Sequence, residues 1–68
     1  MTALDADFAE AFFGRAWAME KAGDVDNAIL EYGEAIRLKP GYADAHFSRG
    51  VLEFTAGRLD AAARDFAA

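Results

Sequence analysis

Apolar residues recur along the first third of the chain at the spacing of one helix face. This stripe consists of Phe8, Phe12, Ala16 and Met19. Residues three and four positions apart share a face of an α-helix, so the pattern predicts a helix from Phe8 to Ala22. Asp5 or Asp7 is suited to cap its start. Gly23 follows the last apolar position, as glycine often does just beyond a helix.

A second amphipathic segment follows at once and predicts a helix from Val25 to Leu38. Its inner stripe consists of Val25, Ala28, Ile29, Tyr32, Ala35 and Ile36. Asp24 stands at the position of an N-cap. Pro40-Gly41 ends the segment, because proline cannot continue a helix.

The remaining sequence predicts two more helices and no strand. The third runs from Ala43 to Ala56 and is closed by Gly57. The fourth begins near Leu59 and continues to Ala68, so it is shorter than the second and has no stop signal. Because the connecting loops are short, we expect successive helices to be antiparallel neighbours in an all-α fold.

The four predicted helices form two copies of one pattern. At an offset of 34 residues, nine of the 34 aligned pairs are identical, including Ala22-Gly23 with Ala56-Gly57. A fixed period of this length is typical of stacked helical repeats. We therefore predict one domain with a first repeat over 9–42 and a shortened second repeat over 43–68. Residues 1–8 are predicted to be the tail of a preceding unit or a helix cap.

The order of small and large residues in each copy resembles the tetratricopeptide repeat, or TPR. In the first copy the matching residues are Phe12, Arg15, Ala16, Met19, Gly23, Ala28, Tyr32, Ala35 and Pro40. In the second copy they are His46, Arg49, Gly50, Glu53, Gly57, Ala62 and Phe66. The resemblance implies an α-solenoid fragment of two helix-turn-helix units in a right-handed stack, with a short, uncapped last helix. It also implies protein binding rather than catalysis.

The resemblance assigns structural roles to the small and the large positions. Helices are expected to approach each other closely at Ala16, Ala28, Gly50 and Ala62. Tyr32 and Phe66 are expected to fill the space between units. His46 and Glu53 stand at positions that are usually apolar, so we expect the second unit to pack less well than the first.

Composition limits the classes of partner. The net charge of −5 disfavours nucleic acid and anionic membranes, which attract lysine and arginine. No apolar run approaches the roughly 20 residues that span a bilayer, and the first residues do not resemble a signal peptide. We therefore expect a cytoplasmic protein that binds other proteins or peptides, without membrane insertion.

Residues with catalytic potential are few and scattered. His46 is the single histidine and cysteine is absent, so neither a nucleophile pair nor a zinc site has the side chains it needs. We predict that the chain is not an enzyme and needs no metal or cofactor, and that His46 is a half-buried packing residue. Arg49 and Glu53 are expected to form an exposed pair. Solvated helix faces are expected to carry Glu31, Glu34, Asp60 and Asp65.

The resemblance also implies a binding groove, because the first helix of each TPR unit lines a concave surface. The groove positions transfer to Glu10, Phe13, Trp17, Glu20, Lys21, Asp44, Phe47, Val51 and Phe54. These residues form an aromatic lining with an acidic rim. We expect the groove to bind an apolar peptide or an amphipathic helix of a partner protein. In the alternative interpretation, the chain's own helices or a second copy cover these aromatics.

A second hypothesis is that the chain assembles with copies of itself as a structural module. Two units are fewer than the three or so that a stable solenoid usually needs. The fourth helix carries an apolar stripe without a predicted cover, formed by Leu59, Ala62, Ala63 and Phe66. Homo-oligomers would form by head-to-tail stacking on this stripe, or by helix exchange across the loop at Lys39-Pro40-Gly41.

Overall fold

Four helices joined by short turns make up the described part of the protein. A computed structural model describes the backbone of residues 3–67 and the side chains of residues 8–67. The helices are α1 (Ala3–Lys21), α2 (Val25–Leu38), α3 (Ala43–Thr55) and α4 (Leu59–Ala67). Residues 3–67 contain no strand, so the predicted all-α fold is confirmed. Ala68, the predicted end of the fourth helix, lies outside the described residues.

The first helix begins earlier than its apolar stripe predicts. α1 starts at Ala3, so the prediction of a start at Phe8, capped by Asp5 or Asp7, is wrong. Pro40-Gly41 interrupts the equivalent segment ahead of α3, whereas alanine and aspartate stand at the corresponding positions 34 residues earlier. Proline removes a backbone donor and clashes with the preceding turn. Without it, nothing in the backbone stops the helix.

Both helical hairpins close with the same turn. Gly23 and Gly57 have φ angles of 85° and 83°, a left-handed conformation that glycine adopts at little cost. In each turn the glycine N–H donates to the carbonyl three residues back, at 3.0 Å. The next N–H donates to the carbonyl five residues back, at 2.9 Å in the first turn and 2.7 Å in the second. These paired bonds satisfy helix-end carbonyls and reverse the chain.

The predicted bounds of the two middle helices agree closely with the structure. α2 has the predicted ends, and α3 ends at Thr55 rather than Ala56. Asp24 precedes α2 as predicted, but it makes no side-chain cap bond to the backbone. Its carboxylate instead accepts a hydrogen bond from the Asn27 amide at 2.9 Å. The turn at Pro40 then redirects the chain into α3.

The core consists of small residues around one large aromatic. Its buried members are Ala16, Ala28, Ile29, Tyr32, Ala35, Ala45 and Leu52. Tyr32 is the only large side chain among residues 8–67 that is fully buried. Each helix packs on the next along the chain, and the Cα atoms extend over 36 × 27 × 13 Å. In so thin a body, the outer faces of the two units form a large part of the surface.

Gly50 marks a close approach between α3 and α4. A Cβ atom built at Gly50 would lie 2.6 Å from Cε1 of Phe66, well inside van der Waals contact. The prediction that Gly50 permits close helix packing is therefore confirmed. Gly14, in the middle of α1, differs because nothing lies within 4 Å of its equivalent Cβ position.

We expect Gly50→Leu to lower the free energy of unfolding by about 1–3 kcal/mol, because the new side chain must displace the Phe66 ring. Gly14→Ala is the matched control and should raise this free energy by roughly 0.5–1 kcal/mol. Urea denaturation followed by circular dichroism measures both changes. Adding Phe66→Ala should relieve most of the strain introduced at Gly50. An unaltered midpoint for Gly50→Leu would contradict this packing.

Candidate protein-binding site

Comparison of each residue with its counterpart 34 positions away separates two kinds of surface. A position that is exposed in both units stays open when one unit packs on the other. A position that is buried in one unit but exposed in the other belongs to a face that unit packing covers. The predicted groove residues divide between these two kinds.

One part of the predicted groove stays open in both units. Trp17 on α1 and its counterpart Val51 on α3 are 52% and 38% exposed. Glu10 and its counterpart Asp44 are also exposed, as is Lys21. The packing of the two units therefore leaves this side of α1 and α3 uncovered. We call these residues the open groove: Glu10, Trp17, Lys21, Asp44 and Val51.

The open groove is negatively charged near Tyr42. Burial raises the pKa of Tyr42, and the carboxylates of Glu10 and Asp44 raise it further. Asp44 follows Tyr42 by two residues, and Glu10 lies one turn before Phe13, whose ring stacks on Tyr42. Lys39 also lies here, with its Nζ 4.6 Å from the centroid of the Tyr42 ring. Two carboxylates and one ammonium leave an excess of negative charge.

Trp17 is the largest side chain of the open groove and has one internal contact with a cation. The Nζ of Lys21 lies 5.2 Å from the indole centroid. At exposed sites such a cation–π contact contributes only about 0.5–1 kcal/mol. Half of the Trp17 surface is still in contact with solvent, so the residue has apolar area available for a ligand.

Phe13 is held inside the molecule rather than in the open groove. Its ring packs edge-on against Tyr32, with centroids 5.4 Å apart, and stacks on Tyr42 at 5.2 Å. Tyr42 directly precedes α3, so this stack joins α1 of the first unit to the start of the second. The interpretation that the chain's own elements cover the groove aromatics therefore applies to Phe13.

Glu20 binds a core residue and does not belong to the open groove. Its Oε1 accepts a hydrogen bond of 2.8 Å from the Tyr32 hydroxyl. Burial and this bond together raise the pKa of Tyr32 to about 12. The phenol therefore stays protonated and donates to Glu20 across the ordinary pH range. In the second unit the counterparts of Glu20 and Tyr32 are both phenylalanine, so the polar pair is replaced by an apolar one.

That apolar pair, Phe54 and Phe66, forms part of a second exposed surface. The two rings line an open apolar cavity of about 300 Å³ together with Leu59, Ala62 and Ala63. Phe47 lies beside it, with its ring centroid 5.8 Å from that of Phe66. Ala62 is 1% exposed, so this member of the predicted self-association stripe packs within its own unit. We call the exposed residues the end face: Phe47, Phe54, Leu59, Ala63 and Phe66.

Sequence comparison agrees with this architecture. Two overlapping segments, residues 2–43 and 21–68, match the family described as "Tetratricopeptide repeat", and together they span nearly the whole chain. The chain belongs to the tetratricopeptide repeat family. TPR domains generally mediate protein–protein interactions and are generally non-catalytic. Searches of curated proteins and of solved structures gave no match.

The second TPR unit contains a buried acid, Asp65, on α4. Asp65 is 5% exposed, so the prediction that it lies on a solvated face is wrong. Its carboxylate accepts hydrogen bonds of 2.8 and 2.7 Å from Arg49. Burial alone would raise the pKa of Asp65, but the bonds from Arg49, with further contributions from the neighbouring Glu53 and His46, outweigh burial and hold the pKa well below its ordinary value.

A signal for this pair exists in the repeat itself. Arg49 and Asp65 are the counterparts of Arg15 and Glu31, which approach to 3.4 Å in the first unit. An acid and a base at the same two positions of both units indicate a pair between the two helices of a hairpin. The signal lies in this correspondence between the units and not in any one of the acids taken alone.

His46 is half-buried as predicted, and it also links α3 to the preceding loop and to α4. Its Nε2 lies 3.0 Å from the Pro40 carbonyl oxygen, and its Nδ1 lies 3.1 Å from Oδ1 of Asp65. Both of these partners are hydrogen-bond acceptors when Asp65 is ionised. Both bonds therefore form only when both ring nitrogens carry protons.

Glu53 pairs with Arg49, but the pair is not the exposed one that the sequence predicts. Oε2 of Glu53 lies 3.7 Å from Nε of Arg49, and Glu53 is 7% exposed. Its Oε1 is buried without a hydrogen-bond partner. Burial, with a further contribution from the neighbouring Asp65, raises the pKa of Glu53 from 4.5 to about 7.

The described residues show neither a metal site nor a membrane span. No three or more of their His, Asp and Glu side chains are grouped so that they could hold a metal ion. None of the helices in residues 3–67 combines the length and the apolar character needed to cross a bilayer.

Glu53 should make this TPR protein less stable as the pH rises from about 4.5 to about 7. Over this range the folded chain holds a proton that the unfolded chain releases, so the free energy of unfolding falls. The groups nearest to Glu53 are Arg49, Asp65 and Arg58. Because the pKa of Asp65 is lowered, its stabilising contribution is lost only at more acidic pH.

We expect Glu53→Gln to melt at a higher temperature than the unmodified chain at pH 8 and at a similar temperature at pH 5. Each 1 kcal/mol of relieved penalty corresponds to roughly 4–8 °C for a domain of this size. Thermal melts at the two pH values measure the difference. Glu10→Gln, at an exposed acid, is the control and should shift neither melt. A lower melting temperature for Glu53→Gln at pH 8 is the contradicting result.

Proposed function

We propose that the chain is a protein-interaction module whose open groove binds an amphipathic helix or an apolar peptide of a partner protein. The observation that carries this proposal is the position of Trp17. It is half exposed on a side of α1 that the packing of the second unit leaves uncovered. We expect its counterpart Val51, which is also exposed on α3, to extend the same apolar lining.

The free energy available at this surface comes mainly from the indole. A tryptophan side chain carries about 150–250 Å² of surface, and half of Trp17 remains to be buried. Interface residues with large effects on binding are enriched in tryptophan. Val51 is smaller and less exposed, so we expect it to shape the groove rather than to dominate affinity.

The charges of the open groove favour a ligand with a basic residue at one end. Glu10 and Asp44 lie near Tyr42, and Lys39 offsets only part of their charge. The net charge of −5 favours the approach of cationic segments in the same way. The ligand that fits best is therefore an apolar helix with lysine or arginine near the Glu10 and Asp44 end.

We expect a synthetic helical peptide with a leucine face and two terminal lysines to bind more tightly than the same peptide with glutamates in place of the lysines. Trp17 is the only tryptophan of the chain, so its fluorescence reports directly on burial of the groove. Binding should shift the emission maximum to shorter wavelength. If neither peptide changes the emission or binds by calorimetry, the proposal is wrong.

Trp17→Ala should weaken binding of the lysine peptide about tenfold or more, measured by calorimetry, because the indole supplies most of the apolar contact. Leu30→Ala is the matched control, since Leu30 is 67% exposed and lies on α2, outside the groove. An equal loss of affinity in the two variants would show that the peptide binds elsewhere.

A further inference from the structure

On one face, equivalent residues of the two TPR units differ in how much of their surface is exposed. Tyr32 is 0% exposed, whereas its counterpart Phe66 is 48% exposed. Ile29 is buried, whereas its counterpart Ala63 is exposed. In the first unit these positions lie under α3 of the second unit. None of residues 3–67 covers the corresponding end face of the second unit.

The opposite face of the first unit shows the reverse difference. Ala45 is 0% exposed under the first unit, whereas its counterpart Ala11 is exposed. Arg49 is likewise more buried than its counterpart Arg15. We call the exposed residues of α1 on this side the start face: Phe8, Ala11, Gly14, Arg15 and Ala18. It corresponds to the surface that the second unit turns toward the first.

We propose that a second copy of the chain stacks head to tail, with its start face on the end face of the first copy, in the register of the internal interface between the units. The internal interface is the pattern for this contact, since one further step of the same repeat places unit one of the next copy on unit two. The proposal uses a surface other than the open groove, so the two can fail independently.

The register specifies which side chains meet. The stack of Phe13 on Tyr42, with centroids 5.2 Å apart, corresponds to Phe47 and Phe8 of the second copy. Phe8 is 50% exposed and Phe47 is 63% exposed, so both rings have apolar surface left to bury. An aromatic pair in contact is favourable by about 0.5–1.5 kcal/mol beyond its buried area.

In this register the Phe66 ring, which lines the cavity of the end face, also meets a residue that leaves space for it. Ser48 lies near the Tyr32 hydroxyl and partly offsets the rise in the pKa of that phenol. The corresponding pair is Phe66 and Gly14 of the second copy. Both polar groups of the internal contact are thus absent from the contact between copies. Gly14 has nothing within 4 Å of its Cβ position and leaves room for the Phe66 ring.

One pair of charges opposes the stack. Arg58 and Asp26 of the two units approach to 3.5 Å. The register places Asp60 and Asp24 of the second copy at the corresponding positions, so two carboxylates meet where the internal interface has an ion pair. We therefore expect the association to be weak and to strengthen with salt, which screens this repulsion.

A head-to-tail contact joins two different faces and leaves one of each face free at the ends. Such heterologous contacts continue into longer assemblies unless a ring closes. We therefore expect the mean mass to rise beyond that of two chains as concentration increases. A symmetrical dimer would instead level off at two.

Sedimentation equilibrium of the 68-residue chain from about 10 μM to about 1 mM tests the proposal. Gly14→Glu blocks the start face, and Ala63→Glu blocks the end face. We expect each change to weaken the association constant about tenfold or more. The mean mass of each variant alone should therefore stay close to that of one chain. Gly14→Glu removes a helix-interior glycine, so it should melt no lower than the unmodified chain, and loss of folding cannot explain its effect.

Mixing the two blocked variants gives the sharpest result. Each retains the face that the other lacks, so the mixture should form a complex of two chains and no more. Leu30→Glu is the control with the same charge change. Leu30 is exposed although the second unit packs on the first, and its counterpart Arg64 is exposed too, so it lies outside both faces. This variant should associate like the unmodified chain.

Charge reversal at Asp60 supplies an independent gain of association. Asp60→Arg should tighten stacking by creating an ion pair with Asp24 of the second copy, with Asp60→Asn in between. The proposal is overturned if the unmodified chain is monomeric at every concentration, which would assign the end face to another occupant. A mixture of blocked variants that stays monomeric, or a Leu30→Glu variant that no longer associates, overturns it equally.

Discussion

A helical hairpin of this sequence has an apolar end that it cannot cover itself, and the whole structure depends on this constraint. In the first unit the second unit provides the cover, so that Tyr32 is fully buried. A buried phenol needs an acceptor, and Glu20 supplies one at 2.8 Å. In the second unit the same two positions are phenylalanines and remain exposed. Each unit thus covers the apolar end of the unit before it and has an apolar end of its own that needs cover.

The second unit stabilises its hairpin in a different way from the first. Its helices are joined by Arg49, Asp65, His46 and Glu53, where the first unit has phenylalanine and methionine as the counterparts of His46 and Glu53. Paired charges inside a protein lose their hydration, and good hydrogen bonds must offset that cost. Asp65 receives such bonds, whereas Oε1 of Glu53 does not. The cluster therefore fixes the relative position of α3 and α4, but burial of Glu53 lowers the free energy of unfolding.

Much of this architecture was predictable because it follows from local rules. Helical spacing and the glycines that end α1 and α3 gave four helices with nearly correct ends, and the 34-residue offset gave the family. The start of α1 was missed, because the absence of proline in that segment outweighs its likeness to the end of a unit. The burial of Asp65 does not follow from α4 alone, because it depends on which side of α4 faces α3. Only the match of Arg49 and Asp65 to Arg15 and Glu31 indicates that side.

The sequence does not predict which of the proposed groove residues lie in the open groove and which lie on the end face. Trp17 and Phe47 were assigned alike because both belong to the first helix of a unit. Only the contacts show that Phe47 lies beside Phe66, on the face that a following unit would cover, while Trp17 lies on the side left open. The distinction requires the position of one unit relative to the next, which no single helix specifies.

Amide hydrogen exchange of α2 and α4, measured by NMR on a dilute sample, tests this account most directly. In this interpretation, the second helix of each unit, α2 or α4, is stabilised by the neighbouring unit that covers it and not by its own sequence. The account predicts that amides around Tyr32 exchange only through global unfolding, while those around Phe66 exchange faster through local opening. Equal protection of the two helices, or slower exchange in α4, would contradict it.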